Sequence, residues 1–234
     1  TKRGNWEQGN NVLFRTSSLE QFAKTKGISI DNLTKTLENC KEILLKERSK
    51  RIRPGLDDKQ LTSWNALMLK GYVDAYRAFD DKKFLDAALS NANFLYQNSQ
   101  KHNGELMRSY KNGKHTIHGF LDDYALTISA FIDLYQATLD EKWILRAKSM
   151  SDYAVKHFYD DDSKLFFYTH ADHSNLISRK REISDNVIPA SNSVMAKNLF
   201  ALGQFFYDEK FLSTSEKMLN VVSERATENP YFYS

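Results

Sequence analysis

Three short acidic turns, Asp80-Asp81-Lys82-Lys83, Asp140-Glu141-Lys142 and Asp208-Glu209-Lys210, run into the aromatic residues Phe84, Trp143 and Phe211. Nineteen residues before each aromatic lie Asn65, Tyr124 and Asn192. Positions two, four and eight beyond these read Leu67, Leu69, Val73, then Leu126, Ile128, Ile132, then Val194, Ala196, Phe200. Apolar residues at that spacing form one stripe along a helix. Four residues after each aromatic comes a small residue, Ala88, Ala147 or Ser215, which permits close helix contact. A chain with this register stacks helical hairpins. The repeat is 59 residues from Phe84 to Trp143 and 68 from there to Phe211. That is too long for a tetratricopeptide array, whose unit is about 34 residues, and suits a ring of α-hairpins.

Short strand-like tails follow the hairpins. Leu106 to Tyr110, a turn at Asn112-Gly113 and Lys114 to Ile117 predict a β-hairpin. Leu165 to Thr169 takes that part after the second hairpin, Pro230 to Tyr233 begins it again, and Trp6 to Phe14 reads as a tail of the same kind. The segment from about Ser17 to Arg53 departs from the repeat. There Leu33, Leu37, Cys40 and Leu44 share one face of an expected helix that stops before Pro54-Gly55, and the charged remainder reads as a solvated face. The expected class is all-α: a partial (α/α)6 toroid with short β-hairpin tails, one domain over residues 1–234. Six such repeats need far more chain than this, so the sequence reads as a piece of a larger toroid whose apolar ends favour self-association.

Composition excludes several functions. With 41% hydrophobic and 13% aromatic residues the chain can bury a substantial core. Its mean hydropathy of -0.59 and the lack of any apolar run near eighteen residues argue against a membrane span and for a soluble protein, its location unassigned with the cytoplasm favoured. A net charge of +3 without a basic stripe argues against nucleic acid. The single cysteine, Cys40, cannot form an internal disulfide and is expected in the core.

Polar residues gather where the repeated helices begin. Asp57, Asp58, Trp64 and Asn65 lie at the first such start, Asp122, Asp123 and Tyr124 at the second, and Arg179, Glu182, Asp185, Ser191 and Asn192 at the third. In an α/α ring these starts share one rim. Carboxylates with aromatic planes suit a carbohydrate, since acids bond hydroxyls and rings cover the apolar sugar face. Asp58, Asp122, Asp123 and Asp185 are therefore the candidate catalytic acids, and the others candidate ligand-binding residues. The competing reading is structural: Asp and Asn at helix starts cap exposed N–H groups, Trp64 belongs to the core, and Arg179, Lys180 and Arg181 pair with Glu182 or Asp185. No cofactor is implied. The histidines His115, His118, His170 and His173 show no metal spacing on a helix, so no metal is expected.

The segments Arg53 to Leu69, Gly119 to Thr138 and Ser178 to Leu199, together with Gly4 to Leu13, resemble the helical part of the thioredoxin-domain-containing, spermatogenesis-associated protein 20-like family. That resemblance implies a toroid similar to N-acylglucosamine 2-epimerases and six-hairpin glycosidases, with a thioredoxin-like domain elsewhere in the intact chain as a partner. It also implies an analogy to sugar enzymes, in some of which histidine transfers protons, making His118 a lesser candidate. The thioredoxin-like domain and its Cys-x-x-Cys are absent here. Where the family carries Asp-Gly-Ala and Pro-Ser, this chain has Asp185-Asn186-Val187 and Pro189-Ala190, which removes a serine hydroxyl. Two functions follow: a domain that binds or processes a sugar or other polar small molecule, or a non-catalytic scaffold that docks the thioredoxin-like module.

Overall fold

A computed structural model describes residues 4–172 and 178–233. The chain divides into two compact units, the first ending at Asp57 and the second beginning at Asp58. The first unit holds α1 (Leu19–Lys26) and α2 (Ile30–Ser49), each capped by a serine, Ser18 or Ser29, whose hydroxyl accepts a backbone N–H in the first turn. Two findings here depart from expectation. Trp6 to Phe14 forms no strand, and Glu7–Gly9 is a short 3-10 turn. Of the apolar face on α2 only Leu33 is buried within its unit, while Cys40 and Leu44 are exposed, because the eight-residue α1 covers little of a helix of twenty.

The second unit carries the repeat. Strand β1 (Gln60–Leu61) leads into the hairpin of α3 (Thr62–Phe79) and α4 (Lys82–Asn98). Strands β2 (Ser109–Lys111) and β3 (Lys114–His115) precede the hairpin of α5 (Leu121–Thr138) and α6 (Glu141–Phe158). Then β4 (Tyr159–Asp160) pairs with β5 (Leu165–Phe166), and α7 (Ser191–Phe206) with α8 (Glu209–Glu228) makes the third hairpin. Helices α3, α5 and α7 pack side by side with α5 in the middle, and α4, α6 and α8 each lie against their own hairpin partner. This is the layout of part of an α/α toroid. Its core is centred on α5, which buries residues around nearly its whole circumference, including Leu121, Tyr124, Ile128, Phe131 and Leu134.

The acidic turns prove to be the hinge of every hairpin. The inner helices end in a left-handed residue, Asp80 (φ 51°), Leu139 (φ 56°) and Tyr207 (φ 53°). Each is unfavourable for a side-chain-bearing residue by about 1–2 kcal/mol, and each reverses the chain. The next residue, Asp81, Asp140 or Asp208, then caps the outer helix by accepting from the backbone N–H of Lys83, Lys142 or Lys210 at 3.0, 3.2 and 3.1 Å. Ala88 and Ala147 are fully buried, and the Ser215 hydroxyl donates to Ala196 O at 2.8 Å, so the small residues do mark close helix approaches. Gly203 on α7 is closer still: a Cβ there would stand 2.7 Å from Leu212 of α8.

The tail after the first hairpin is a β-hairpin as expected, turning at Asn112 (φ 51°) and Gly113 (φ 76°). It gains an unforeseen partner in β1, whose Leu61 pairs with Ser109. That pairing ties the start of α3 to the approach to α5, because Thr62 N–H donates to Arg108 O and its hydroxyl to Met107 O. Pro230–Phe232, expected to begin a strand, is a 3-10 turn.

Candidate functional site

Asp123, one of the residues that the sequence singles out, ties the start of α5 to that of α3. It is fully buried in the third position of α5. One carboxylate oxygen accepts from Ser63 N–H at 3.0 Å, reaching across to α3; the other accepts from Phe120 N–H at 3.0 Å and from Arg108 at 2.8 Å. Burial, followed by the neighbouring charge of Asp122, pushes its pKa up to about 7, against the pull of Arg108 and the two N–H groups.

Asp122 keeps slightly more exposure, 12% of its side chain. It accepts from Arg108 at 3.0 and 3.2 Å and from the backbone of Asp123 at 3.0 Å. One guanidinium thus serves both acids. Burial alone would lower the Arg108 pKa, but the two carboxylates outweigh it and raise it. The guanidinium lies 4.8 Å from the centre of the Phe120 ring, which packs at 5.3 Å on Tyr168. Burial raises the Tyr168 pKa, with the charges of Asp122 and Glu182 adding to it, so its hydroxyl remains a donor at neutral pH.

At the start of α7, Glu182 accepts from Ser191 N–H at 3.2 Å and Asp185 from Ala190 N–H at 2.7 Å. Asn192 accepts from Phe166 N–H at 2.8 Å and donates to Phe166 O and Glu182 O at 3.0 and 2.8 Å. Arg179 donates to Thr169 O and lies 4.0 Å over the Phe167 ring, where Arg181 faces it at 4.1 Å and pairs with Asp160. The expected pairing of these arginines with Glu182 or Asp185 is replaced by aromatic and Asp160 contacts. On the first hairpin, Asp58 pairs with Lys111 of β2, a hydrogen bond that lowers its pKa. Asp57 is exposed at the end of the first unit. Asn65 donates to Leu61 O at 2.9 Å.

The two aromatic residues exchange their expected places. Trp64 is 67% exposed. Tyr124, expected at the rim as a stacking ring, is 1% exposed; it stacks on Tyr153 at 5.7 Å and its hydroxyl accepts from Leu106 N–H at 2.9 Å. It belongs to the core because the apolar stripe of α5 wraps past it. His118 is exposed and holds Glu105 at 2.7 Å, and Lys101 holds the other oxygen at 3.0 Å; together they lower the Glu105 pKa despite its burial. His173 lies outside the described residues.

Sequence reasoning missed Arg108, Phe120 and Tyr168, which complete the cluster. An isolated arginine inside the tail Leu106 to Tyr110, ahead of an acid pair, was the available signal.

Similarity to known proteins follows the same outline. No family model matches the chain. Human spermatogenesis-associated protein 20 is 30% identical over 233 residues, 95% of this chain and 30% of its own length. The chain is a homologue of spermatogenesis-associated protein 20. An uncharacterised protein of Caenorhabditis elegans is likewise 30% identical over 228 residues, 94% of this chain and 31% of its own length. The chain therefore spans about 30% of the curated relatives it matches. Among solved structures it resembles a GH76 alpha-mannanase from Bacteroides thetaiotaomicron, with TM-score 0.58, 18% identity, and coverage of 75% of this chain and 46% of that one. The cellobiose 2-epimerase from Bacillus thermoamylovorans gives 0.57, 10%, 72% and 46%. A family 105 glycoside hydrolase from C. acetobutylicum gives 0.57, 13%, 87% and 60%. At these identities the likeness is one of fold, that of carbohydrate-processing α/α toroids. Among the described residues no helix is long and apolar enough to cross a membrane.

Proposed function

We propose that this domain holds a carbohydrate-like polar ligand at the rim formed by the starts of α3, α5 and α7. The observation that carries this reading is the partly exposed ion pair that Arg108 makes with Asp122 and Asp123 at the start of α5, with Tyr168, whose pKa the charges of Asp122 and Glu182 raise, beside it. A ligand hydroxyl can donate to the outer face of Asp122 or Glu182 and accept from Arg108, and the exposed Trp64 ring offers an apolar plane. In this reading Asp58, ahead of α3, and Asp185, ahead of α7, are further candidate acids. Asp123 and Tyr124, enclosed and bonded, position Arg108 and the approach strand rather than touch ligand. For turnover, Asp122 is the acid best placed to exchange a proton with a bound hydroxyl.

The scaffold reading has its own support: Asp122, Asp123, Glu182 and Asp185 all accept backbone N–H bonds, as helix caps do. Binding of a panel of glycans and sugar phosphates to the full-length protein separates the two, with product analysis on any hit. Arg108→Lys and Tyr168→Phe should each weaken a bound sugar by more than tenfold, about 1.4 kcal/mol. No binding across the panel, or binding indifferent to both variants, leaves the scaffold.

A further inference from the structure

A second polar cluster lies away from the rim. His157, in the last turn of α6, and His170, in the loop after β5, stack with ring centroids 4.5 Å apart and planes 21° from parallel. With Asp172 they present three donor atoms within 4.8 Å of one another. We propose that His157, His170 and Asp172 bind a divalent transition-metal ion of the zinc class, a site independent of any ligand at the rim.

The hydrogen bonds around His170 assign its tautomer. Its Nδ1 accepts from Asp172 N–H at 3.0 Å, so the ring proton sits on Nε2 and is directed to the Tyr153 hydroxyl 3.1 Å away. Histidine ligands characteristically donate their second ring N–H to such an outer partner, which fixes the ring and leaves the other nitrogen for the metal. Tyr153 is itself held by its stack on Tyr124. His170 is buried, and Ala171 N–H donates to His157 O at 3.1 Å. The loop that carries His170 is thus tied to the end of α6.

His157 Nδ1 lies 3.9 Å from an Asp172 carboxylate oxygen, and His170 Nδ1 faces the same residue. Metal bonds of about 2.0–2.2 Å require tetrahedral donors roughly 3.3–3.5 Å apart, so loading draws the three together by about an ångström. The exposed Asp172 side chain supplies that movement, and the ion replaces its N–H at His170 Nδ1. Two imidazoles and one carboxylate favour zinc, nickel or copper over magnesium or calcium, which prefer all-oxygen sites. His157 also borders an open cavity of about 410 Å³, with Tyr153, Asp152 and Lys156.

Equilibrium dialysis of the full-length protein against zinc, with excess magnesium present, tests this. Wild type should bind one more equivalent of zinc than His157→Gln or the largely exposed Asp172→Asn, with the fold of each variant verified by circular dichroism. Tyr153→Phe should keep that equivalent but weaken it several-fold. Cobalt in place of zinc should give visible absorption bands that His157→Gln abolishes. Equal stoichiometry in wild type and both variants, or cobalt bands indifferent to His157→Gln, overturns the site.

Discussion

Replacing Asp123 with asparagine separates positioning from chemistry more sharply than any other single change. The carboxylate meets only donors: Ser63 N–H, Phe120 N–H and Arg108. A carboxamide has one oxygen, so its NH2 must face at least one of them. That leaves a buried donor unsatisfied, at about 1–3 kcal/mol, and exchanges charged hydrogen bonds for neutral ones, a further loss of about 1 kcal/mol or more. Relief of the repulsion from Asp122 returns part of this, and the net cost is about 2–4 kcal/mol. In a unit of this size each kcal/mol moves the melting temperature by about 2–4 °C, so Asp123→Asn should melt about 4–16 °C lower. Thermal unfolding followed by circular dichroism at pH 8, where the carboxylate is ionised, measures it. The reasoning fails if the melting temperature is unchanged while ligand binding or turnover disappears, since the carboxylate would then serve the ligand and not the fold.

Other outcomes follow from the same geometry. The raised Asp123 pKa means that its contribution to stability is fully present below the ordinary carboxylate range and is lost as pH rises through about 7. Asp122→Asn removes the neighbouring charge, so the decline in melting temperature between pH 5 and 8 should be shallower in that variant than in wild type; identical slopes would contradict the coupling. Trp64→Ala, at an exposed ring, should change stability by no more than about 0.5 kcal/mol while weakening sugar binding; a large loss of stability would return Trp64 to the core. Gly203→Ala drives a methyl into Leu212 and should cost about 1–3 kcal/mol in chemical denaturation, whereas a neutral result would mean that α7 and α8 separate easily.

The hairpin architecture was legible because its determinants are local. Asp81, Asp140 and Asp208 cap helices through bonds spanning two residues, and the stripes from Leu67 to Val73 or Leu126 to Ile132 need only helical periodicity. What stayed hidden depends on contacts distant in sequence. Strand β1 is defined by β2 nearly fifty residues later, and the fate of each aromatic depends on which side of its helix a neighbour covers. Trp64 and Tyr124 both open inner helices, yet the flanked α5 buries its ring and α3 leaves its own in solvent.

The same contrast bears on the acids. Sequence placed Asp122 and Asp123 together but treated them as equals. Their unlike burial arises from helical geometry: Asp123 faces back toward Phe120 and across to Ser63, and its neighbour, about 100° round the helix, turns toward Tyr168 and the rim. A pair in which one acid is locked by backbone donors and the other shares its guanidinium at the surface divides the work. The inner acid holds Arg108 in one orientation, so the outer acid and guanidinium can meet a hydroxyl without first ordering themselves, and the entropy of positioning is spent during folding instead of binding. Asp123→Asn would then impair binding only in proportion to the freedom Arg108 regains, while Arg108→Lys, which keeps the charge but not the fork, would impair binding directly.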